Sequence, residues 1–375
     1  MTGHAVTHEL DHGASRHHVR TRFVVPPGRQ ATAPPEDWGL ARDEVRLLVA
    51  DGREVRHRRF RQLADELTPG DLVVVNTSAT VAAALDAARA DGRAVTVHVA
   101  GPAPHGAHVV ELRSRGGSHG VSDALAGEVL RLPSGGRLRL VRPAMPPRRR
   151  LWVARFLIDG PVEDELARHG RPITYGHLDR SEPLAAYQPA VARHPGSAEM
   201  ASAGRPLTER VVTDLVTRGI GVAPVLLHTG VSSLEIDEPP PPERYEVPAA
   251  TARLVEHTRR HGGRVVAVGT TVTRALETVA RADGLVRAGA GWTDLVLGPD
   301  RPARVVDGLI TGWHEPDASH LLLLEAVAGP ELVEVAYAAA VAGDYRWHEF
   351  GDSCLLLPTR AATVVPGLRG RSTEG

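Results

Sequence analysis

Between Val81 and Arg142 the chain abandons the strand–helix alternation of the residues on either side, and that interruption constrains the fold more than any other feature. Before it, the turn Pro69-Gly70-Asp71 leads into Leu72-Val73-Val74-Val75-Asn76, a short β-branched run that reads as a buried strand. After it, Pro206-Leu207-Thr208-Glu209 opens a helical pattern through Val211 to Arg218 that stops at Gly219, and Val222 to His228 reads as another strand. Pro248 starts a further helix that ends at Gly262-Gly263, and Arg264-Val265-Val266-Ala267-Val268 runs as a strand into Gly269-Thr270-Thr271 and one more helix. Inside the interruption, strand-like pieces at Val95 to Val99, Ala107 to Leu112 and Arg137 to Val141 alternate with Gly, Pro and Ser turns. They predict a small antiparallel β-domain over residues 81–142, with Pro143 to Pro147 as its return linker. The fold class is α/β: a body of residues 21–80 and 143–360, the insertion, and loose tails at 1–20 and 361–375.

Composition removes several functional classes. All 44 basic residues are arginine, so Schiff-base lysine chemistry is excluded. The single cysteine, Cys354, lies in an apolar run and offers neither a disulfide nor a cysteine-rich zinc site, which fits a cytoplasmic protein. No stretch approaches the roughly 20 apolar residues of a membrane span, so no membrane partner is expected. A formal net charge of -1 supplies no global basic field, and any contact with RNA must come from local patches.

Individual motifs carry limited information. Gly269-Thr270-Thr271 at a strand-to-helix turn offers backbone N–H groups and hydroxyls to an anion, and also suits an ordinary helix start. Arg274 and Glu277 follow on one helical face, where an exposed ion pair is the plainer reading. No dinucleotide glycine fingerprint follows Val268-Gly269, and Thr229-Gly230-Val231-Ser232-Ser233 lacks the second glycine of a nucleophile elbow. His314 to His320 has the wrong spacing for a zinc helix, and His17-His18 lacks a spaced partner. The tetraproline Pro239 to Pro242 reads as a rigid connector.

Taken in order, these strings become specific. Leu227-His228-Thr229-Gly230, then Val266 to Thr271 with Arg274, Leu276 and Glu277, then Thr311-Gly312-Trp313-His314-Glu315-Pro316 with Ser319, then Tyr345-Arg346-Trp347-His348-Glu349-Phe350-Gly351-Asp352 resemble the LHVG, AVGTT-x-x-R-x-LE, TNFH-x-P-x-S and YRF-x-x-YGD blocks of the S-adenosylmethionine:tRNA ribosyltransferase-isomerase family of queuosine biosynthesis. Tyr187-Gln188, Gly196-Ser197 with Ala203-Gly204, and Pro69 to Asn76 resemble further blocks of that family. The resemblance spans most of residues 60–358.

The resemblance implies a barrel-like α/β body with a small inserted antiparallel β-barrel, acting without metal. It implies S-adenosylmethionine as ribosyl donor and tRNA bearing 7-aminomethyl-7-deazaguanine as acceptor, with epoxyqueuosine, adenine and methionine as products. The sulfonium acidifies the adjacent 5′ carbon, so the reaction needs a base, a proton source for the departing adenine, and a grip on the ribose. His228 and His314 are the candidate proton carriers, with Glu315 and Asp352 as acidic partners. Donor contacts are expected from Asn76, Tyr187, Gln188, Gly204, Arg205, Thr229, Gly230, Gly269, Thr270, Thr271, Arg274, Glu277, Trp313, Ser319 and Gly351. Departures from the family strings fall at Asn76-Thr77-Ser78-Ala79, at Arg205-Pro206-Leu207 and across the prolines ending in Glu243. They leave open a different amine acceptor for the same donor, or a non-catalytic protein that binds S-adenosylmethionine or RNA.

Overall fold

The computed structural model describes residues 19–232, 240–316 and 318–359, and its centre is a nine-stranded mixed sheet. The strands lie in the order Gly289–Thr293, Glu243–Val247, Gly221–Leu227, Leu72–Asn76, Val265–Val268, Gly308–Gly312, Ser353–Leu357, Arg46–Asp51 and Glu54–Arg59. Gly221–Leu227, Leu72–Asn76, Val265–Val268 and Gly308–Gly312 run parallel to one another. Parallel strands are covered on both faces, which is why the Leu72–Asn76 strand is apolar without alternation. Leu72 and Val74 join the core beneath the helices Ala249–Arg260, Gly269–Val279, His320–Ala328 and Pro330–Ala342; Val73 and Val75 join a second core under Glu209–Thr217. Each such buried side chain contributes about 1.5–3 kcal/mol, so this strand anchors both layers. Thr208 caps the helix Glu209–Thr217 by accepting a hydrogen bond from Val211 N, and Pro248 precedes Ala249–Arg260 as the sequence predicts. The body's sheet ends in edges at Gly289–Thr293 and Glu54–Arg59, so the part that closes into a barrel is the insertion.

That closed barrel orders its strands Leu151–Leu157, Ala107–Ser114, Ala94–Ala103, Ala84–Ala88, Val129–Arg131 and Arg137–Pro143. Leu85, Val97, Val110, Leu112, Leu130, Leu138, Leu140 and Trp152 fill it. The return linker expected at Pro143 to Pro147 is instead a connection inside the barrel. Leu151–Leu157 pairs with both Arg137–Pro143 and Ala107–Ser114, so without it the barrel would be open. The helix Val162–His169 adds Leu166 to the same core.

The loose tail expected through residue 20 is corrected at its inner end. Val19 is buried in the body core, and the backbone N–H groups of Arg20 and Thr21 donate to Glu325 Oε1 at 2.9 and 2.7 Å. The rest of that tail, the C-terminal tail, His17-His18 and Pro239 lie outside the described residues. Among the described residues no helix is long and apolar enough to cross a membrane.

Candidate active site

The four parallel strands bring the separate sequence blocks to one edge. Asn76, Leu227-His228, Val268-Gly269 and Gly312-Trp313-His314 all stand at strand carboxyl ends. Ser353–Leu357 runs antiparallel to Gly308–Gly312 with Gly312 opposite Ser353, so Gly351 and Asp352 arrive at the same edge. Such an edge is where open α/β sheets bind ligands. His228 and His314 therefore share one side of the sheet, three strand spacings or about 14 Å apart along it.

Asn76 holds the first corner. Its Nδ2 donates to Leu227 O at 2.8 Å and Thr271 Oγ1 at 3.3 Å, while its Oδ1 accepts from Ser78 N and Leu227 N, both at 3.1 Å. Every polar atom of this buried amide is thus engaged in aligning neighbouring strand ends. His228 Nδ1 lies 2.7 Å from Ser78 Oγ, which lies 2.6 Å from Ser197 Oγ, and Ser197 Oγ accepts from Thr229 N at 3.0 Å. Because Ser197 accepts from a backbone N–H, its own hydroxyl can donate to Ser78, whose hydroxyl then donates to His228 Nδ1. That direction leaves the His228 proton on Nε2. Burial, followed by the charges of Arg244 and His194, holds His228 below the ordinary imidazole range and favours the neutral ring. Gly196 fits beneath that ring because a Cβ there would stand 2.6 Å from His228 Nδ1.

Gly269 turns strand into helix with φ +90°, a conformation that favours glycine, and no side chain caps the helix Gly269–Val279 that follows. Its first N–H groups therefore start the helix at the strand edge without a capping side chain.

His314 forms the other wall. Its Nε2 lies 3.0 Å from Thr311 Oγ1, its N–H donates to Tyr337 Oη at 3.2 Å, and its carbonyl accepts from Trp347 Nε1 at 3.1 Å. It stacks on His320 at 4.5 Å between ring centroids and 4° between planes. Burial, then His320 and His348, holds His314 well below its ordinary range, and burial with Arg274 draws His320 down to about 4. His348, with φ 74°, places Nε2 3.1 Å from Glu315 Oε1 and stacks on His177 at 4.0 Å.

Several expected donor contacts are occupied elsewhere. Arg274 pairs with Glu243 and donates to Thr293 O and Leu295 O, and Gly230 N donates to Glu243 Oε1 at 2.8 Å. The pair thereby ties the His228 loop to the helix behind Gly269. Glu277, fully enclosed, accepts from Arg304 N, Val305 N and Val306 N at 2.8–3.0 Å and holds a loop on the far side of the helix. Gln188 clamps Thr80 through both N and O, and buried Tyr187 packs on Phe350 at 5.2 Å. Arg205 reaches Glu36 and Ala186 O and lies 4.8 Å from the Phe350 ring. A narrow cleft at the strand edge is lined by Arg205, Gly312, His348, Phe350 and Asp352. Asp352 is raised by burial, and its two oxygens accept from Arg46 N and Arg346 N at 2.7 and 2.9 Å. A Cβ at Gly351 would meet Arg346 O at 2.3 Å, so the glycine serves close packing. Trp313 lies in an aromatic cluster with Tyr337, Tyr345 and Trp347. Gly204 packs near Pro189 and Val268, Thr229 Oγ1 donates to Glu199 O at 2.5 Å, and Ser319 precedes the helix His320–Ala328 without capping it.

The sequence assigns no site role to Ser78 and His320, which touch the two candidate histidines directly. Nor does it assign one to Glu199, raised by burial, which accepts from Tyr175 Oη, Ser232 N and Ser232 Oγ beneath the His228 loop. Among the described residues, His177, His348 and Glu349 place ligand atoms within 4.8 Å of one another, close enough for a metal ion. His177 Nε2 and Glu349 Oε2 already satisfy each other at 2.9 Å.

A model of the family described as queuosine biosynthesis protein matches residues 20–356. The chain belongs to this family. A queuosine-family relative named S-adenosylmethionine:tRNA ribosyltransferase-isomerase from Moorella thermoacetica is 35% identical over 353 residues, covering 89% of this chain and 98% of that protein. One of the same name from an Azoarcus species is 36% identical over 344 residues, covering 89% and 95%. A solved queuosine-family structure, an S-adenosylmethionine tRNA ribosyltransferase from Thermotoga maritima, is 28% identical with a TM-score of 0.49 and covers 89% of this chain and 99% of that one.

Proposed function

We propose that this chain moves the ribosyl group of S-adenosylmethionine onto 7-aminomethyl-7-deazaguanine in tRNA and isomerises it, giving epoxyqueuosine with release of adenine and methionine. The observation that carries this reading is the convergence of four separate family blocks on one carboxyl edge of the sheet. The uncapped helix start at Gly269 to Thr271 suits the methionine carboxylate of the donor. His314, kept neutral by burial, is the proton acceptor for the carbon beside the sulfonium. His228, as a neutral ring, offers a hydrogen bond from Nε2 to the nucleoside as the adenine bond breaks. Ser78 and Ser197 hold the Nδ1 side of the ring, and Asn76 fixes the distance between the strand ends. Asp352 positions the strand edge through the Arg46 and Arg346 backbone, and Glu315 stands beside His348 without a hydrogen bond between them. The remaining donor contact comes from Thr270 at the strand edge, while Thr229 and Gly230 hold the His228 loop. The reading invokes no metal, and a tRNA acceptor suits a cytoplasmic protein.

The test is mass spectrometry of nucleosides digested from tRNA carrying the aminomethyl base after incubation with the protein and S-adenosylmethionine. Epoxyqueuosine is the expected product; its absence alongside release of adenine would assign the ribosyl group to another amine.

A further inference from the structure

The outer wall of the barrel carries arginines that the chemistry above leaves unused. Arg131 directly opposes Arg137 across one strand pair, and Arg139 directly opposes Arg155 across the next. All are exposed, because the alternate positions Leu130, Leu138, Leu140 and Ala154 point into the barrel core. Directly opposed like charges destabilise a sheet, and nearby carboxylates do not relieve them. Glu128 is held by Arg89, Asp164 faces Arg168, and no ion pair involves Arg131, Arg137, Arg139 or Arg155 among the described residues. On a chain of net charge -1 this is a strongly local basic patch.

The patch also has a direction. The Arg137–Pro143 strand continues through exposed Arg142 into Ala144 and Met145, which with Leu151 pack against Ala198 and Val231. Ala198 N donates to Thr229 O, next to His228. The arginine wall therefore runs from the barrel surface toward the crevice.

We propose that this wall seats the phosphate backbone of the RNA whose modified base enters the crevice. The inference rests on the ribosyl-transfer reading. Strand spacing and the two-residue repeat place the Cα atoms of the four arginines over roughly 7 by 10 Å, and the planar guanidinium fork matches phosphate oxygens. The exposed Leu157, directly opposite Arg137, adds apolar surface for a sugar face.

The test is binding of an anticodon stem–loop RNA to the full chain over a salt series, without donor, so that it reads the wall whether or not turnover occurs. With Arg131, Arg137, Arg139 and Arg155 all changed to glutamine, the dissociation constant should rise at least tenfold. The slope of log affinity against log salt should become shallower by about 3, from roughly 0.7–0.9 per neutralised phosphate. Changing the same residues to lysine should keep most of the slope. In turnover, the glutamine variant should raise KM for tRNA and leave kcat at saturation unchanged. Wild-type affinity and slope in the glutamine variant would overturn the proposal. So would an equal loss from Arg253→Gln with Arg260→Gln on the exposed side of the Ala249–Arg260 helix. Failure of the wild type to release adenine would instead count against the ribosyl-transfer reading, while the binding series still tests the wall.

Discussion

Ser78 Oγ stands 2.7 Å from His228 Nδ1, and through it the ring is connected to Ser197 and the Thr229 backbone. A serine two residues past a strand end thus engages Nδ1 of His228 and leaves Nε2 as the nitrogen available to other partners. Ser78→Ala removes the partner and should slow adenine release about tenfold, the scale of one lost hydrogen bond. Ser78→Thr, which keeps the hydroxyl, should lose less. Initial rates at saturating donor check this, and an unchanged rate in Ser78→Ala would separate the serine from the reaction.

His314 should be the group whose protonation ends activity in acid. Burial lowers its pKa, so the neutral, proton-accepting form persists below the ordinary imidazole value of about 6.5, and the acid limb of kcat/KM should lie below that pH. His314→Ala should reduce adenine release by roughly 10²-fold or more. An acid limb near 6.5, or equal rates in the variant, would remove His314 from the proton transfer.

Stability should fall as the solution is acidified from about pH 6.5. Burial, then Arg113 and Arg171, lowers His98 to about 3, and burial, then Arg274, lowers His320 to about 4. Between those values and about 6.5 the unfolded chain binds more protons than the folded one, so unfolding free energy rises with pH through that window. The stability these rings contribute is complete above about 6.5 and drains away toward pH 4. Thermal melts across pH 4–7 should show a falling Tm, and His320→Gln should flatten the curve; an identical slope in that variant would contradict the assignment.

Glu277 should matter to folding and not to substrate affinity. Its enclosed carboxylate accepts from the Arg304, Val305 and Val306 backbone. Glu277→Ala should therefore destabilise by about 3 kcal/mol or more, the scale of leaving such buried groups unpaired, with Glu277→Gln partly restoring it. Denaturant melts give the loss, and KM for S-adenosylmethionine in the folded fraction should stay unchanged.

How much of this was legible in the sequence depended on whether a residue's role was local. The strands at Leu72 and Val265 announce themselves because burial on both faces demands uninterrupted apolar residues, and the one at Val222 by its apolar run between Gly221 and His228. The barrel is visible in its turns, but its closing strand Leu151–Leu157 hides behind Pro143 to Pro147, which read as linker, and the charged run Arg148-Arg149-Arg150. At the site, His228 and His314 stand out through their motif blocks. Arg274 and Glu277 share those blocks and yet hold loops, because a polar residue beside a site is equally useful for satisfying backbone N–H groups. Ser78 and His320 carry no local pattern, and only packing brings them to the histidines. The barrel arginines are ordinary one at a time; register alone makes them a patch.

The most direct test of the central claim is chromatography of the products formed from S-adenosylmethionine labelled in the adenine ring, with tRNA bearing the aminomethyl base as acceptor. Ribosyl transfer must break the glycosidic bond, so the label should appear as free adenine, in step with methionine and only when acceptor is present. Label recovered as S-adenosylhomocysteine, or left entirely in the donor, would contradict the account.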